Sequence, residues 1–117
     1  MFKRLAVLPV IAVLIGLLSG CATTGPRYAK TLEPGIFEDC FEMNAGQILE
    51  YSFEAEKPVN FNIHYHEDDK MFFPVSEDSV VSKRGTFIAE KKQYYCFMLT
   101  NPYQRVISFD YQLSVKE

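Results

Sequence analysis

Apolar and polar positions alternate along most of this chain. The clearest stretch is Val59-Asn60-Phe61-Asn62-Ile63-His64-Tyr65-His66. Val59, Phe61, Ile63 and Tyr65 fall on one face, and Asn60, Asn62, His64 and His66 on the other. A two-residue period of this kind predicts a strand with one buried face. Segment 105–115 repeats it, with Ile107, Phe109, Tyr111, Leu113 and Val115 forming an unbroken apolar face. Tyr94-Tyr95-Cys96-Phe97-Met98-Leu99-Thr100 is the most apolar stretch and is expected to be the central strand. Further strands are expected over 36–43, 48–53, 80–81 and 86–89. One more covers 70–75, where Pro74 fits an edge or a strand end because proline cannot donate to a ladder. Turn signals separate them: Asn44-Ala45-Gly46-Gln47, segment 54–58, Glu67-Asp68-Asp69, Lys83-Arg84-Gly85 and Asn101-Pro102-Tyr103-Gln104. Beyond residue 20 no segment carries a helical period. The pattern predicts an all-β fold, a small antiparallel β-sandwich (or small barrel) of about seven to eight strands.

The N-terminus has a different grammar. Lys3 and Arg4 precede an uncharged apolar run over 5–18, broken only by Pro9 and Gly16, and the small residues Ser19, Gly20 and Cys21 follow. This is the layout of a secretory signal. The competing reading, a transmembrane anchor, meets a run too short to cross a bilayer comfortably. Leu18-Ser19-Gly20-Cys21 resembles the lipobox of bacterial lipoproteins. The resemblance implies cleavage before Cys21, two acyl chains on its sulfur and a third on its new amino group. Two or three chains anchor stably where one does not. Ala22 stands where an aspartate would retain such a protein at the inner membrane, so the resemblance implies the outer membrane, periplasmic face. Segment 22–33 lacks periodicity and is punctuated by Thr23-Thr24-Gly25-Pro26 and then Pro34-Gly35. The expected organisation is a signal over 1–20, a lipidated N-terminus and flexible tether over 21–34, and one β-sandwich domain over 35–117.

Charge and cysteines then change the picture. Residues 21–117 carry ten Lys and Arg against fifteen Asp and Glu, a net charge of −5. Ten of the acids lie within 33–69, where Lys57 is the single base. This balance argues against nucleic acid, whose backbone needs compensating positive charge. It suits a basic protein partner or cations, and solubility alone also accounts for it. With Cys21 assigned to lipid, Cys40 and Cys96 remain. In an oxidising compartment an even pair reads as a disulfide, and two separate buried thiols are the alternative. A bridge would close a loop of about 57 residues and contribute roughly 4 kcal/mol by chain entropy.

Several stretches together resemble the GOLD (Golgi-dynamics) domain, a lumenal β-sandwich of eukaryotic cargo receptors. They are Asp39-Cys40-Phe41, Gly46 in a turn, Ile48-Leu49-Glu50-Tyr51-Ser52-Phe53, Val59-Asn60-Phe61-Asn62-Ile63, Gly85-Thr86-Phe87, Tyr94-Tyr95-Cys96-Phe97 and Val106-Ile107-Ser108-Phe109. The resemblance covers about 35–115. It implies a joined cysteine pair and a general role in protein or ligand binding. The coiled coil, membrane helix and cytosolic tail of those receptors have no counterpart here, so their sorting role does not carry over.

Candidate chemistry is sparse. His64 and His66 are the only histidines, and their i, i+2 spacing lets both reach one metal. Asp68, with Glu67 or Asp69, can add oxygen ligands, and Met71 or Met43 a soft one for copper. The competing reading is a pair of exposed histidines on a polar face. No phosphate loop, nucleophile elbow or Cys-x-x-Cys is present, so no catalytic residues are expected. Ten Phe and seven Tyr exceed what so small a core needs. Tyr28, Tyr51, Tyr94 and Tyr103 are the expected surface ones, available for contact with a partner. The sequence thus predicts a lipid-anchored envelope protein that binds an envelope protein or small ligand without catalysis. The alternative is a periplasmic zinc- or copper-binding lipoprotein built on the His64/His66 pair.

Overall fold

The computed structural model describes residues 27–117; the signal, the lipobox with Cys21, and Ala22 lie outside the described residues. Six strands follow in order: β1 (Arg27–Leu32), β2 (Gly35–Met43), β3 (Ile48–Glu67), β4 (Lys70–Ile88), β5 (Gln93–Asn101) and β6 (Ile107–Lys116). All pairings are antiparallel, and the sheet order is β1-β6-β3-β5-β2 with β4 paired to β3.

β3 organises the sheet. Its first half, from Ile48 to Ala55, pairs with β6, and its second half, from Asn60 to Tyr65, pairs with β5. β4 runs along the other edge of both halves. Between Glu54 and Val59 the register against β4 shifts, so β3 takes extra residues there and bends. The bend curls the whole sheet into a half-barrel. Rings then meet across its concave side from strands that share no hydrogen bonds. Phe97 of β5 stacks on Tyr111 of β6 at 5.7 Å, and Phe37 of β2 meets Phe109 of β6 at 5.0 Å. Phe53 and Phe61, on either side of the bend, lie 5.2 Å apart. Each fully buried ring of this kind contributes about 2–3 kcal/mol of apolar burial.

The strand count differs from the expected seven to eight. Segment 54–58 reads as a turn, yet it is an irregularity inside the long strand β3, whose pairing with β4 resumes beyond it. The strands expected over 70–75, 80–81 and 86–89 are likewise parts of one long strand, β4. Segment 83–85, also read as a turn, continues the β4 ladder. Residues Arg27–Leu32, expected in the flexible tether, form β1 and pair with β6 from Arg27↔Gln112 to Leu32↔Ile107. Leu32 is buried there, which ties the first strand to the core. β5 is an inner strand, as its apolarity predicts, but β3 holds the centre. Pro74 sits in β4, which pairs with β3 alone among the described strands. The apolar face of β6 is buried at Ile107, Phe109 and Tyr111 and then fades, leaving Val115 42% exposed. Among the expected surface tyrosines, Tyr28 and Tyr94 are exposed, while Tyr51 is buried against Phe61. Tyr103 is half-buried and donates its hydroxyl to the Pro58 carbonyl.

Two turns follow the chemistry of their residues. At the β3–β4 hairpin both central residues, Asp68 and Asp69, have positive φ (51° and 61°), the pair of left-handed conformations that tightly closes a two-residue loop. Asn101 is buried at the opposite end. Its side-chain amide donates to the carbonyls of Leu32 and Arg105, and its oxygen accepts from the Tyr103 N–H.

Candidate metal centre

The outer face of β3 was expected to be solvated. At His64 it is not: the residue is fully buried, and Asn62 is nearly so. The cause is register. His64 lies directly opposite Cys96 of β5, and Cys96 lies directly opposite Cys40 of β2. One row of side chains therefore crosses three strands. Glu38, two residues before Cys40, points to the same side of β2. On the β4 edge, Ile63 pairs with Val75 and Tyr65 with Phe72, so Phe73 and Pro74 together oppose the single residue His64. This bulge carries the Phe73 ring to 5.8 Å from the imidazole. A proline is tolerated there because the bulged position needs no ladder donor.

Cys40 and Cys96 are joined by a disulfide with Cα atoms 4.0 Å apart. Beside it, ligand atoms of Glu38, His64 and Cys96 all lie within 4.8 Å of one another. His64 Nδ1 is 2.8 Å from Asn62 Oδ1. An amide oxygen only accepts, so Nδ1 carries the proton and Nε2 keeps a bare lone pair. Nε2 is buried and has no hydrogen-bond partner. It faces Glu38 Oε1 at 3.3 Å. In the neutral tautomer this sets two electron-rich atoms against each other, an arrangement that a cation between them relieves. Burial holds the imidazole below its ordinary pKa; the Glu38 charge opposes that shift and His66 adds to it. The ring is therefore neutral near pH 7, the form that ligates metals.

Two ligands of a tetrahedral zinc, each about 2.0–2.1 Å from the ion, stand roughly 3.3 Å apart. The Glu38–His64 spacing matches. Asn62 supplies what a metal-bound histidine needs on its other nitrogen, an acceptor that fixes tautomer and ring orientation. The Glu38 side chain is partly exposed, which leaves a way in from solvent. The disulfide sulfur of Cys96 is no thiolate and is a poor ligand as it stands.

The sequence-predicted ligands divide. His64 and His66 are neighbours, with ring centroids 5.3 Å apart, but His66 is exposed and outside the cluster. Asp68 lies at the hairpin tip and is also outside it. Glu67 is engaged by Lys91, with Gln93 at 3.4 Å. Met43 is fully buried in the core, so it presents no soft ligand at this face. Met71 is exposed on β4. Glu38 and Cys96, which join His64 in the cluster, were not among the sequence-predicted metal candidates. The available signal was the i, i+2 spacing of Glu38 and Cys40, which puts both on one face of a strand; the register with β5 and β3 was not available.

A second surface feature adjoins the cluster. A groove of about 480 Å³ is lined by Tyr65, Phe72, Phe73, Pro74, Phe87 and Tyr95, among others. Lys91 closes one side, with its ammonium 4.8 Å from the centre of the Tyr65 ring.

No family model matches this chain, and no curated protein matches its sequence. Among solved structures it is similar to a de novo designed double-stranded β-helix, at 18% identity and a TM-score of 0.43. That match covers 76% of this chain and 99% of the other. At that score the likeness carries no argument about function.

Proposed function

We propose that this protein is a non-catalytic, metal-binding lipoprotein of the bacterial envelope. Acylated Cys21 holds it at the periplasmic face of the outer membrane, and its β-domain takes up zinc or copper through His64 and Glu38. One observation carries the metal reading: the His64 Nε2 lone pair is buried, unpaired and aimed at a carboxylate 3.3 Å away. An unsatisfied buried nitrogen costs about 1–3 kcal/mol, a cost that a bound cation removes. The acidic character of the chain favours cation encounter.

Calorimetric titration of the full-length protein in mild detergent with zinc, and separately with copper, tests the reading. His64→Gln and Glu38→Gln should each weaken binding at least tenfold, since loss of one ligand leaves too few. An isotherm unchanged by either substitution rejects the site. Anchoring is tested separately: Cys21→Ser should move the protein from the membrane fraction to the soluble periplasm.

The aromatic groove favours a second reading, a module that binds an envelope protein or a small ligand. Met71, Phe72 and Phe73 are consecutive, apolar and 41–49% exposed. The joined Cys40–Cys96 pair is the one feature implied by the GOLD resemblance that supports this reading. Crosslinking in intact cells beside a Phe72→Ser, Phe73→Ser variant tests it. A partner captured equally by both forms argues against the groove.

A further inference from the structure

We propose that the Cys40–Cys96 bond gates this site: the oxidised chain holds metal poorly, and reduction completes a four-ligand zinc centre of two thiolates, His64 and Glu38. The inference rests on the metal reading above and specifies its ligands.

The geometry sets out the argument. His64, Cys96 and Cys40 occupy one cross-strand row. Glu38, His64 and Cys96 hold ligand atoms within 4.8 Å of one another, and Cys40, outside that cluster, is bonded to Cys96 and reaches the site from there. Tetrahedral zinc takes four ligands, and sulfur, sulfur, nitrogen and oxygen from this row make four. In the disulfide each sulfur spends on its neighbour the bond it would give the metal. His64 and Glu38 are then left as a bare pair, and two ligands hold zinc weakly. Reduction frees both sulfurs without dispersing them, because β2 and β5 remain paired over nine positions, from Gly35↔Asn101 to Met43↔Gln93. The imidazole is already buried and oriented by Asn62, so the nitrogen ligand needs no rearrangement.

The reductant is an envelope dithiol of the Cys-x-x-Cys type. Cys96 is buried and Cys40 half-buried, so the donor's thiolate attacks the Cys40 sulfur. The Cys40–Cys96 bond breaks and Cys96 leaves as a thiolate. The donor's second thiol then displaces Cys40 from the mixed disulfide. Two electrons pass to this chain, and the donor departs as a disulfide. Zinc binding then displaces the protons from the two thiols. Reoxidation by a disulfide of the same class runs the exchange backwards and expels the ion.

The test uses the full-length protein, oxidised or reduced with a phosphine, with zinc alone as the probe and cobalt(II) as its spectroscopic substitute. At free zinc near 100 times Kd, the reduced protein's Tm should rise by roughly 10–20 °C. The oxidised protein should show no rise over the same range. Cobalt should give a sulfur-to-metal charge-transfer band and intense visible bands in the reduced form only. Both should be lost in Cys40→Ala, Cys96→Ala. If the reduced chain unfolds without metal, zinc-driven recovery of its strand circular dichroism supports the proposal equally. Equal zinc affinity in both redox states, without the sulfur band, overturns the gate and leaves the Glu38–His64 reading standing. No binding in either state overturns both. A cobalt spectrum unchanged by His64→Gln overturns the four-ligand assignment.

Discussion

Gly85→Ala tests how the aromatic core meets the β3–β4 ladder. Gly85 sits directly opposite Tyr51 in that ladder, and the Tyr51 ring lies across it. A Cβ at position 85 would stand 2.5 Å from the Tyr51 hydroxyl oxygen, 2.8 Å from Cζ and 3.3 Å from Cε1. Ordinary carbon contacts are about 3.5–4.0 Å, so the ring must retreat by about 1 Å. It has little room, being buried with Phe61 at 5.2 Å and Phe97 at 6.5 Å between ring centres. Overpacking of this kind costs about 1–3 kcal/mol. Replacing glycine within a strand returns about 0.5–1 kcal/mol. The net destabilisation should be about 1–2 kcal/mol, or a Tm lowered by roughly 5–15 °C for a domain of this size. Thermal and urea unfolding followed by circular dichroism measure it. The cycle with Tyr51→Leu isolates the contact: in that background Gly85→Ala should be neutral or stabilising. A Gly85→Ala protein as stable as the parent, or equal costs in both backgrounds, would refute the reasoning, because the ring would then not be what excludes a side chain at position 85.

Three other outcomes are expected. Cys40→Ser with Cys96→Ser should cost about 4 kcal/mol by loop closure, read from the urea midpoint; a loss under about 1 kcal/mol would mean the paired strands constrain the unfolded chain without the bond. Asn101→Ala removes one acceptor and two donations, leaving the Leu32 and Arg105 carbonyls and the Tyr103 N–H without it; an expected cost of about 2–4 kcal/mol is checked by the same unfolding. Alkaline pH should unfold the domain: Tyr51, Tyr95 and Tyr111 have pKa values raised chiefly by burial, and for Tyr111 also by its hydrogen bond to Asp39. Folded values above the unfolded ~10 mean that their contribution is intact below pH 10 and is lost as pH rises through the folded values. Absorbance titration should therefore show these three ionising late and together with unfolding, and early, non-cooperative ionisation of all tyrosines would contradict it.

Local patterning by itself determined the strand character of the chain, the core residues Val59, Phe61 and Ile63, the buried face of β6 through Tyr111, and the hairpin at Asp68-Asp69. Each follows from a period of two or from residues that suit one backbone conformation, and such signals lie within a few neighbouring positions. Cysteine count and context likewise indicated the Cys40–Cys96 pair. Only the tertiary structure decided the rest. The turn-like residues of 54–58 end no strand, because the β3–β4 pairing resumes past them after a register shift, and continuity depends on a partner that local sequence does not name. His64 lies on the face that alternation assigns to solvent. It is buried because the β2–β5–β3 register aligns it with Cys96 and Cys40, and because a bulge in β4 lays Phe73 over it. Register couples residues tens of positions apart. That coupling joins Glu38, His64 and the disulfide in one place, and moves the candidate metal site from the His64/His66 pair to the row that crosses three strands.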